Sequence, residues 1–256
     1  MSLSVHPIQS SLKIDRFDLF ESLESDLEKS SLKPQNGDVI VISSKYVANS
    51  QGRYLKYQNV HPSDEAENVS TKFRIKQKIA EIILRESDVI FGGIPGFVIT
   101  SSDYIMAPNA GIDKSNAKKG TIILYPKDPY RIAEQLRRQF LLRYQIHVGI
   151  IIADSRLMPA RSGTVGVAIA CSGLEPITDL RGKKDLYGNP LKVTFQAVAD
   201  DLASIANLKM GEGNEAIPAA LVRDAGVKLT DRRIRENEMA IAYDQCVYVR
   251  GLGTRT

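Results

Sequence analysis

Hydrophobic residues recur along the chain with two different periods. A spacing of three and four residues predicts amphipathic helices over residues 15–28, 62–85, 128–144 and 194–209. Ser63 near the start of the second helix, and Asp128 with Pro129 at the start of the third, match the chemistry of helix N-termini. In the fourth helix the spacing places Phe195 on the buried face.

Short apolar runs bounded by turn residues predict the strands. They cover residues 3–8, 39–42, 121–125, 148–153, 165–171, 217–223 and 246–249, with two more short strands between residues 88 and 100. The runs at 148–153 and 165–171 are almost continuously apolar, which is typical of buried strands.

Polar residues suited to phosphate follow the strand at 39–42. Ser43, Ser44 and Lys45 come directly after it, and hydroxyl and ammonium groups donate hydrogen bonds to phosphate oxygens. A solvated strand end is the alternative explanation.

Carboxylates follow a second strand and lie in two loops. Asp154 and Ser155 end the strand at 148–153, and Glu212 lies between two glycines that let backbone N–H groups approach an anion. The loop at 108–116 adds Asp113 and Asn116. Carboxylate and hydroxyl oxygens are preferred ligands of Mg²⁺ and Mn²⁺. The pattern predicts a metal site, although a capping role for Asp154 and an ordinary turn at 108–116 remain alternatives.

Composition limits the class of protein. The chain has 256 residues, 43% of them hydrophobic and 25% charged, which is typical of a soluble globular protein. Apolar runs are too short to span a bilayer and no secretory signal is visible, so a cytoplasmic location is expected. The net charge of +4 is scattered, which favours a small polyanion such as a nucleotide over nucleic acid. Cys171 and Cys246 are predicted to be buried thiols.

Four segments together resemble the F420 γ-glutamyl ligase family. They are GIDKSN at 111–116, GIIIADS at 149–155, KDLYG at 184–188 and MGEG at 210–213. The similarity extends over nearly the whole chain and is densest from residue 149 to residue 223. Enzymes of that family use GTP to attach L-glutamate to the coenzyme precursor F420-0, first through an amide and then through a γ-linked extension. The resemblance therefore implies an acid–amino-acid ligase.

The resemblance also implies a fold and an assembly. The expected fold is α+β, with mixed sheets, flanking helices and two intertwined subdomains. Residues 1–256 would form one family domain, with subdomains of about 1–145 and 146–256. A homodimer with active sites near the subunit interface is expected. Its partners would be the small molecules F420-0, L-glutamate and GTP, without nucleic acid or membrane.

Carried over residue by residue, the family pattern implies two sets of site residues. Two divalent cations, Mg²⁺ or Mn²⁺, with K⁺ as a further candidate, would be bound by Asp113, Asp154, Ser155 and Glu212. The nucleotide GTP would contact Ser44, Lys45, Asn116, Met210, Gly211, Gly213, Asn214 and Ile217. A separate hypothesis rests on charge alone: basic residues near the site could pair with phosphate or with glutamate carboxylates, and the candidate catalytic residues are Arg156, Arg161 and Lys184.

The sequence departs from the family pattern around the expected nucleotide. Residues 10–14 replace a Gly-Leu-Pro type segment. Ala48-Asn49-Ser50 stand where the family has an Ile-Ser-Lys sequence, so a phosphate-binding lysine is missing unless Lys45 substitutes for it. These departures favour a second hypothesis, a diverged nucleotide- and metal-dependent amide ligase that uses another acid or amine. A third hypothesis is a non-catalytic nucleotide- or metal-binding module, which has little need for three converging carboxylates.

Overall fold

The computed structural model describes residues 2–13 and 15–253, with only the backbone of the last two. Ile14, part of the departing segment at 10–14, lies outside the described residues. The α-helices are α1 (Leu19–Lys29), α2 (Ser44–Gln51), α3 (Asp64–Phe73), α4 (Gln77–Glu86), α5 (Pro129–Tyr144), α6 (Val198–Met210) and α7 (Val247–Gly253). The strands are β1 (Ser4–Ile8), β2 (Val39–Ser43), β3 (Tyr54–Lys56), β4 (Val89–Ile94), β5 (Phe97–Ser102), β6 (Ile105–Pro108), β7 (Thr121–Ile123), β8 (Gly149–Leu157), β9 (Thr164–Ser172), β10 (Thr178–Asp179), β11 (Phe195–Gln196) and β12 (Ala219–Arg223). The arrangement is α+β, as expected.

The chain divides into two compact units, each built from two separated segments. The first unit contains Met1–Val60 and Gly111–Ile234, and the second contains His61–Ala110 and Arg235–Thr256. The expected subdomain boundary near residue 145 does not coincide with this division. It falls inside the first unit because β2 and β8, which lie on either side of it, pair in one sheet.

A mixed five-stranded sheet forms the core of the first unit, with the strand order β1-β12-β2-β8-β9. Only the pair β2 and β8 is parallel; the other neighbours are antiparallel. Ile40 and Ile42 of β2 pair with Ile150 and Ile152 of β8, and all four side chains are fully buried. Continuous apolar sequence in both strands fits a sheet that is covered on both faces.

Two long helices pack on this sheet. Helix α6 contacts β9, β12 and β8, and α5 contacts β9 and β8. The contact with α6 is close at Gly166 of β9, where a Cβ atom would lie 2.3 Å from the carbonyl oxygen of Ala203. A larger residue at this position would force the helix away from the sheet.

Helix α5 is fixed to the sheet by a buried charge network. Glu134 accepts hydrogen bonds from Arg137 Nε at 2.9 Å and from the Ser172 hydroxyl of β9 at 2.6 Å. The buried Arg137 also donates to Asp231 at 3.0 Å, which ties a later loop to the helix. The pKa of Glu134 is lowered to about 2, and the hydrogen bond from Arg137 is the main cause. Burial raises this pKa but is outweighed.

The second unit pairs two helices with a small sheet. Helices α3 and α4 pack together, and the antiparallel sheet has the order β4-β5-β6. Tyr243 joins the second segment of this unit to the sheet, because its ring packs edge-on against Phe91 and its hydroxyl bonds to Ser101 at 2.5 Å. None of the described helices combines the length and apolar character that crossing a bilayer requires.

Four predicted elements differ from the structure. The helix expected over residues 62–85 is two helices, because Arg74 adopts a left-handed conformation with φ of 50° that ends α3. The helix predicted at 194–209 begins at Val198 in the structure, as α6. Phe195 therefore lies in the short strand β11 and is exposed. The predicted strand at 246–249 is largely the start of α7.

The fourth difference concerns β8. The strand continues to Leu157, paired with β9 across a bulge at Ile169 of β9, so Asp154 lies within β8 and not at its end. Both cysteines are free thiols. Cys171 is buried in β9, as predicted, whereas Cys246 is half-exposed and precedes α7.

We expect Glu134→Gln to destabilise the protein by about 2 kcal/mol at pH 7, because the buried Arg137 loses its partly buried carboxylate partner and keeps the exposed Asp231. A carboxyl with a lowered folded-state pKa stabilises above its unfolded pKa, so this contribution disappears as pH falls from about 4.5 towards 2. Urea unfolding followed by circular dichroism at pH 7, 5 and 3 would measure it. The exposed Glu28→Gln in α1 serves as the control. Equal loss for both variants would contradict the network's role.

Candidate active site

Parallel pairing of β2 with β8 brings their carboxyl ends to the same edge of the sheet. Ser43, the last residue of β2, lies opposite Ala153 of β8. The residues that follow are therefore neighbours although 110 positions separate them, and Ser44 donates its hydroxyl hydrogen to Asp154 Oδ1 at 2.7 Å. The carboxyl edge of a parallel pair is a common position for ligand sites in sheets of this kind.

Two antiparallel strands deliver further loops to this edge. The chain entering β12 arrives here, because Pro218 accepts a hydrogen bond from the Ser43 N–H at 2.8 Å. The chain leaving β1 also arrives here, where the Ser10 N–H donates to Ala216 at 2.9 Å. The strand ends surround a cavity of about 1010 Å³ within the first unit.

The cavity holds both signs of charge. Its lining includes the lysines Lys13, Lys45, Lys56 and Lys118 and the carboxylates Asp15, Asp113, Asp154, Glu212 and Glu215. Of the predicted site residues it includes Lys45, Asp113, Asn116, Asp154, Ser155, Met210, Gly211, Glu212, Gly213, Asn214 and Ile217. Segments 111–116, 149–155 and 210–213 thus meet in one place.

Asp113 is held by a lysine and a loop backbone. Its Oδ2 forms an ion pair with Lys45 Nζ at 2.7 Å, and its Oδ1 accepts the Ser115 N–H at 2.6 Å. The Lys45 ammonium also donates to the Ser115 hydroxyl at 2.7 Å. Burial raises the pKa of the Asp113 carboxyl, but Lys45 and Ser115 outweigh burial and keep the pKa below its ordinary value.

Asp154 is held by a hydroxyl and an arginine. Its Oδ1 accepts from Ser44 and its Oδ2 lies 3.1 Å from Arg156 Nη2. Arg156 is only 6% exposed and also donates to the hydroxyl of Tyr125 at 2.6 Å, with its guanidinium over that ring. The predicted catalytic residue Arg156 therefore lies behind Asp154 and does not line the cavity.

The glycine-rich loop before β12 is organised by a residue that the sequence did not single out. The Glu215 carboxylate accepts the Gly213 N–H at 2.8 Å and packs on Gly211, where a Cβ atom would lie 2.4 Å from Glu215 Cδ. Gly211 has a φ of +77°, which side chains rarely adopt. Asn116 donates to the Gly213 carbonyl at 2.8 Å and so joins this loop to the one bearing Asp113.

Glu212 points its carboxylate at neutral partners. Its Oε1 accepts from Asn207 of α6 at 2.9 Å and from Thr164 of β9 at 3.2 Å. No group of three or more His, Cys, Asp or Glu side chains among the described residues is close enough to hold a metal ion together. The chemistry of the donors suits a divalent cation, since the carboxylates of Asp113, Asp154 and Glu212 and the Ser155 hydroxyl all line the cavity. Binding one would require Asp113 or Asp154 to leave a protein partner.

Two predicted catalytic residues lie elsewhere. Arg161 is exposed in the turn between β8 and β9, and Lys184 is exposed in the hairpin formed around β10 and β11. Neither lines the cavity. Ser44 does not line the cavity, and it contacts the site through its hydrogen bond to Asp154.

Sequence reasoning missed several residues of the cavity. Besides Glu215 and Asn207, it missed Tyr54 and Lys56, which line the cavity from β3. Their two-residue spacing puts both side chains on one face of the strand, so alternation was an available signal. Tyr46 also lines the cavity, and its hydroxyl is held by Asp26, Ser22 and Ser10 in a buried network. Burial raises the pKa of Tyr46 to about 12, so this hydroxyl stays protonated.

The fold and the cavity define an α+β protein with a charged cavity large enough for small polar molecules. Comparison with known proteins identifies its kind. The family model described as F420-0:Gamma-glutamyl ligase matches residues 13–224. The chain therefore belongs to the F420-0:gamma-glutamyl ligase family, whose members are ligases.

Named relatives agree with this membership. The chain is 36% identical to the coenzyme F420:L-glutamate ligase of Archaeoglobus fulgidus over 203 residues, covering 79% of this chain and 82% of the relative. It is 38% identical to the Methanopyrus kandleri enzyme of the same name, covering 78% and 79% of the two chains. For the Methanocaldococcus jannaschii enzyme the identity is 37%, covering 79% and 81%.

We expect Gly211→Ala to lower ligase turnover at least about tenfold. Gly211 has φ of 77° and ψ of 177°, a combination that essentially only glycine adopts, so a side chain there would rearrange the loop that lines the cavity. Gly226→Ala is the control, since Gly226 also has a positive φ, of +65°, but lies outside the cavity. Steady-state kinetics of both variants would show whether the loss is specific to the cavity loop. Comparable losses in the two variants, or an unchanged turnover of Gly211→Ala, would contradict that role.

Proposed function

We propose that this protein is a coenzyme F420-0:L-glutamate ligase that uses GTP as co-substrate. The observation that carries the proposal is the convergence of three segments, 111–116, 149–155 and 210–213, on one cavity. Family membership and the names of the relatives support the substrates. A cytoplasmic location is part of the proposal, because GTP and glutamate are available there.

The proposed chemistry activates a carboxylate before the amide forms. An oxygen of the F420-0 carboxylate attacks the γ-phosphorus of GTP, which forms an acyl phosphate and releases GDP. The amine of L-glutamate then attacks the acyl carbon, the amide bond forms, and phosphate leaves with a proton lost from the amine. A further cycle on the γ-carboxylate of the added glutamate gives the γ-linked extension.

Residues of the cavity have distinct roles in this proposal. Lys45 carries the positive charge that polyphosphate needs, and it lies beside the Asp113 carboxylate. Asn116 fixes the position of the glycine-rich loop, which forms one wall beside the nucleotide. Two Mg²⁺ or Mn²⁺ ions, when bound by Asp113, Asp154, Ser155 and Glu212, would offset phosphate charge, and K⁺ is a further candidate. Arg156 orients Asp154 and does not contact substrate.

A second candidate is a diverged ligase that joins another acid or amine. Asn49 and residues 10–13, which depart from the family pattern, line the same cavity as the proposed metal ligands. The departures therefore fall where a changed substrate would be recognised. A non-catalytic binding module is less favoured, because three carboxylates line the cavity together.

We also propose that the protein is a homodimer. The hairpin around β10 and β11 exposes large apolar side chains, since Leu186 is fully exposed and Tyr187 is 92% exposed. Lys184, which does not line the cavity of its own chain, lies on the same hairpin. Burial of this hairpin against a second copy would remove its apolar surface from water.

The ligase proposal is tested with purified protein, F420-0, L-glutamate, Mn²⁺ or Mg²⁺, and GTP or ATP in parallel. We expect mass spectrometry to show a glutamyl increment with GTP and equimolar phosphate release. Asp154→Ala should lower product formation at least about a hundredfold, because it removes a carboxylate from the centre of the site. Asp201→Asn, exposed on α6 outside the cavity, is the control.

Nucleotide hydrolysis without glutamylation would reject F420-0 as the acceptor and favour the diverged ligase. Binding of nucleotide without hydrolysis, over a panel of acids and amines, would favour the binding module.

We expect light scattering to give twice the 28.3 kDa mass of one chain, and Leu186→Asp to shift the protein towards monomer, because a charge on the hairpin opposes its burial. Leu142→Asp is a matched control, since Leu142 is an exposed leucine (82%) on α5. A monomeric wild-type protein, or equal effects of both variants, would contradict the proposed interface.

A further inference from the structure

Two of the predicted metal ligands, Asp113 and Asp154, already have counter-ions, and the two counter-ions differ in mobility. Lys45 pairs with Asp113 and Arg156 pairs with Asp154. Arg156 is buried, with its Nη2 fixed by Tyr125, and its Nε has no hydrogen-bond partner among the described atoms. The Lys45 side chain is 24% exposed and lines the cavity on a flexible four-carbon stem. Only Lys45 has room to exchange its partner.

Both oxygens of Asp113 are in use. One accepts the backbone N–H of Ser115 within the same loop, and the other accepts from Lys45. A cation that approaches Asp113 must therefore displace the Lys45 ammonium or share the carboxylate with it. Sharing places two positive charges a few ångströms apart, which opposes binding. A bare divalent cation consequently meets a carboxylate that is already neutralised.

A polyphosphate changes this balance. Lysine donates readily to phosphate oxygens, so a polyphosphate offers the Lys45 ammonium a new partner inside the same cavity. When Lys45 turns to phosphate, the Asp113 carboxylate becomes available to a cation. The cavity as a whole carries four lysines and five carboxylates, so it suits a cation and a polyanion together better than either alone.

We infer that Lys45 couples cation binding to nucleotide binding, by neutralising Asp113 until a polyphosphate takes the ammonium. The inference rests on the proposed function, since it assumes that a cation and a nucleotide share this cavity. By reciprocity, each ligand strengthens the binding of the other by the same factor. The protein therefore binds the cation and the nucleotide as a pair, with little affinity for the cation alone.

The test measures Mn²⁺ binding in the absence of nucleotide. The electron paramagnetic resonance signal of the unbound ion reports how much Mn²⁺ is free. Lys45→Met removes the ammonium that competes with the cation for Asp113, so it should tighten Mn²⁺ binding about tenfold or more. The same change removes a potential phosphate ligand. Lys45→Arg keeps the charge and should stay within about twofold of wild type. Lys118→Met is the matched control, because Lys118 lines the same cavity but pairs with Asp15 at 3.5 Å, and its Mn²⁺ affinity should also stay within about twofold.

The second arm measures binding of the GTP analogue guanosine 5′-(β,γ-imido)triphosphate at saturating Mn²⁺ by calorimetry, where Lys45→Met should lose about tenfold. Unchanged or weaker Mn²⁺ binding by a folded Lys45→Met protein, with its circular dichroism spectrum preserved, would overturn the coupling and leave Lys45 a simple phosphate ligand. That result is compatible with intact glutamylation by the wild type. Failure of the proposed function would instead appear as a wild-type protein that forms no glutamylated product.

Discussion

Parallel pairing of β2 with β8 is the constraint on which the site depends. Both strands are almost continuously apolar, and their isoleucines occupy the centre of the sheet. This register fixes the carboxyl ends of the two strands beside each other, so Ser44 at the start of α2 meets Asp154 of β8. A one-residue shift would turn every side chain of one strand to the opposite face and separate Ser44 from Asp154.

Loops next to β1 and β12 supply further residues of the site. The chain before β12 and the chain after β1 reach the same edge because β12 lies between β1 and β2. Each loop is then fixed by short polar contacts, such as that of Asn116 with Gly213 and that of Glu215 with the Gly213 N–H. The scaffold is apolar and the site is polar, and the junction between them is the edge of a single sheet.

Much of this arrangement was predictable from the sequence, and the remainder has physical reasons. The apolar runs predicted β2, β8 and β9, and the motif at 111–116 predicted Asp113 and Asn116 as residues of the site. Glu215 was not predicted because its role arises from packing on Gly211, which no periodicity reports. Arg156 was predicted to contact substrate, but its side chain is buried between Asp154 and the hydroxyl of Tyr125, a partner 31 positions away that no local pattern reports. The break at Arg74 depends on a left-handed residue that has no glycine to signal it.

Strand order also affects how the chain is made. β1 lies at the edge of the sheet and, in the described part of the chain, pairs with β12 alone, whose residues follow it by more than two hundred positions. A ribosome therefore releases β1 long before its partner strand exists. The segment after β1 that lines the cavity, Ser10 included, can take its place only after β12 has been made. The substrate cavity is thus among the last parts of the first unit to close, and a chain truncated before β12 would keep the hydrophobic pair β2 and β8 but not a complete site.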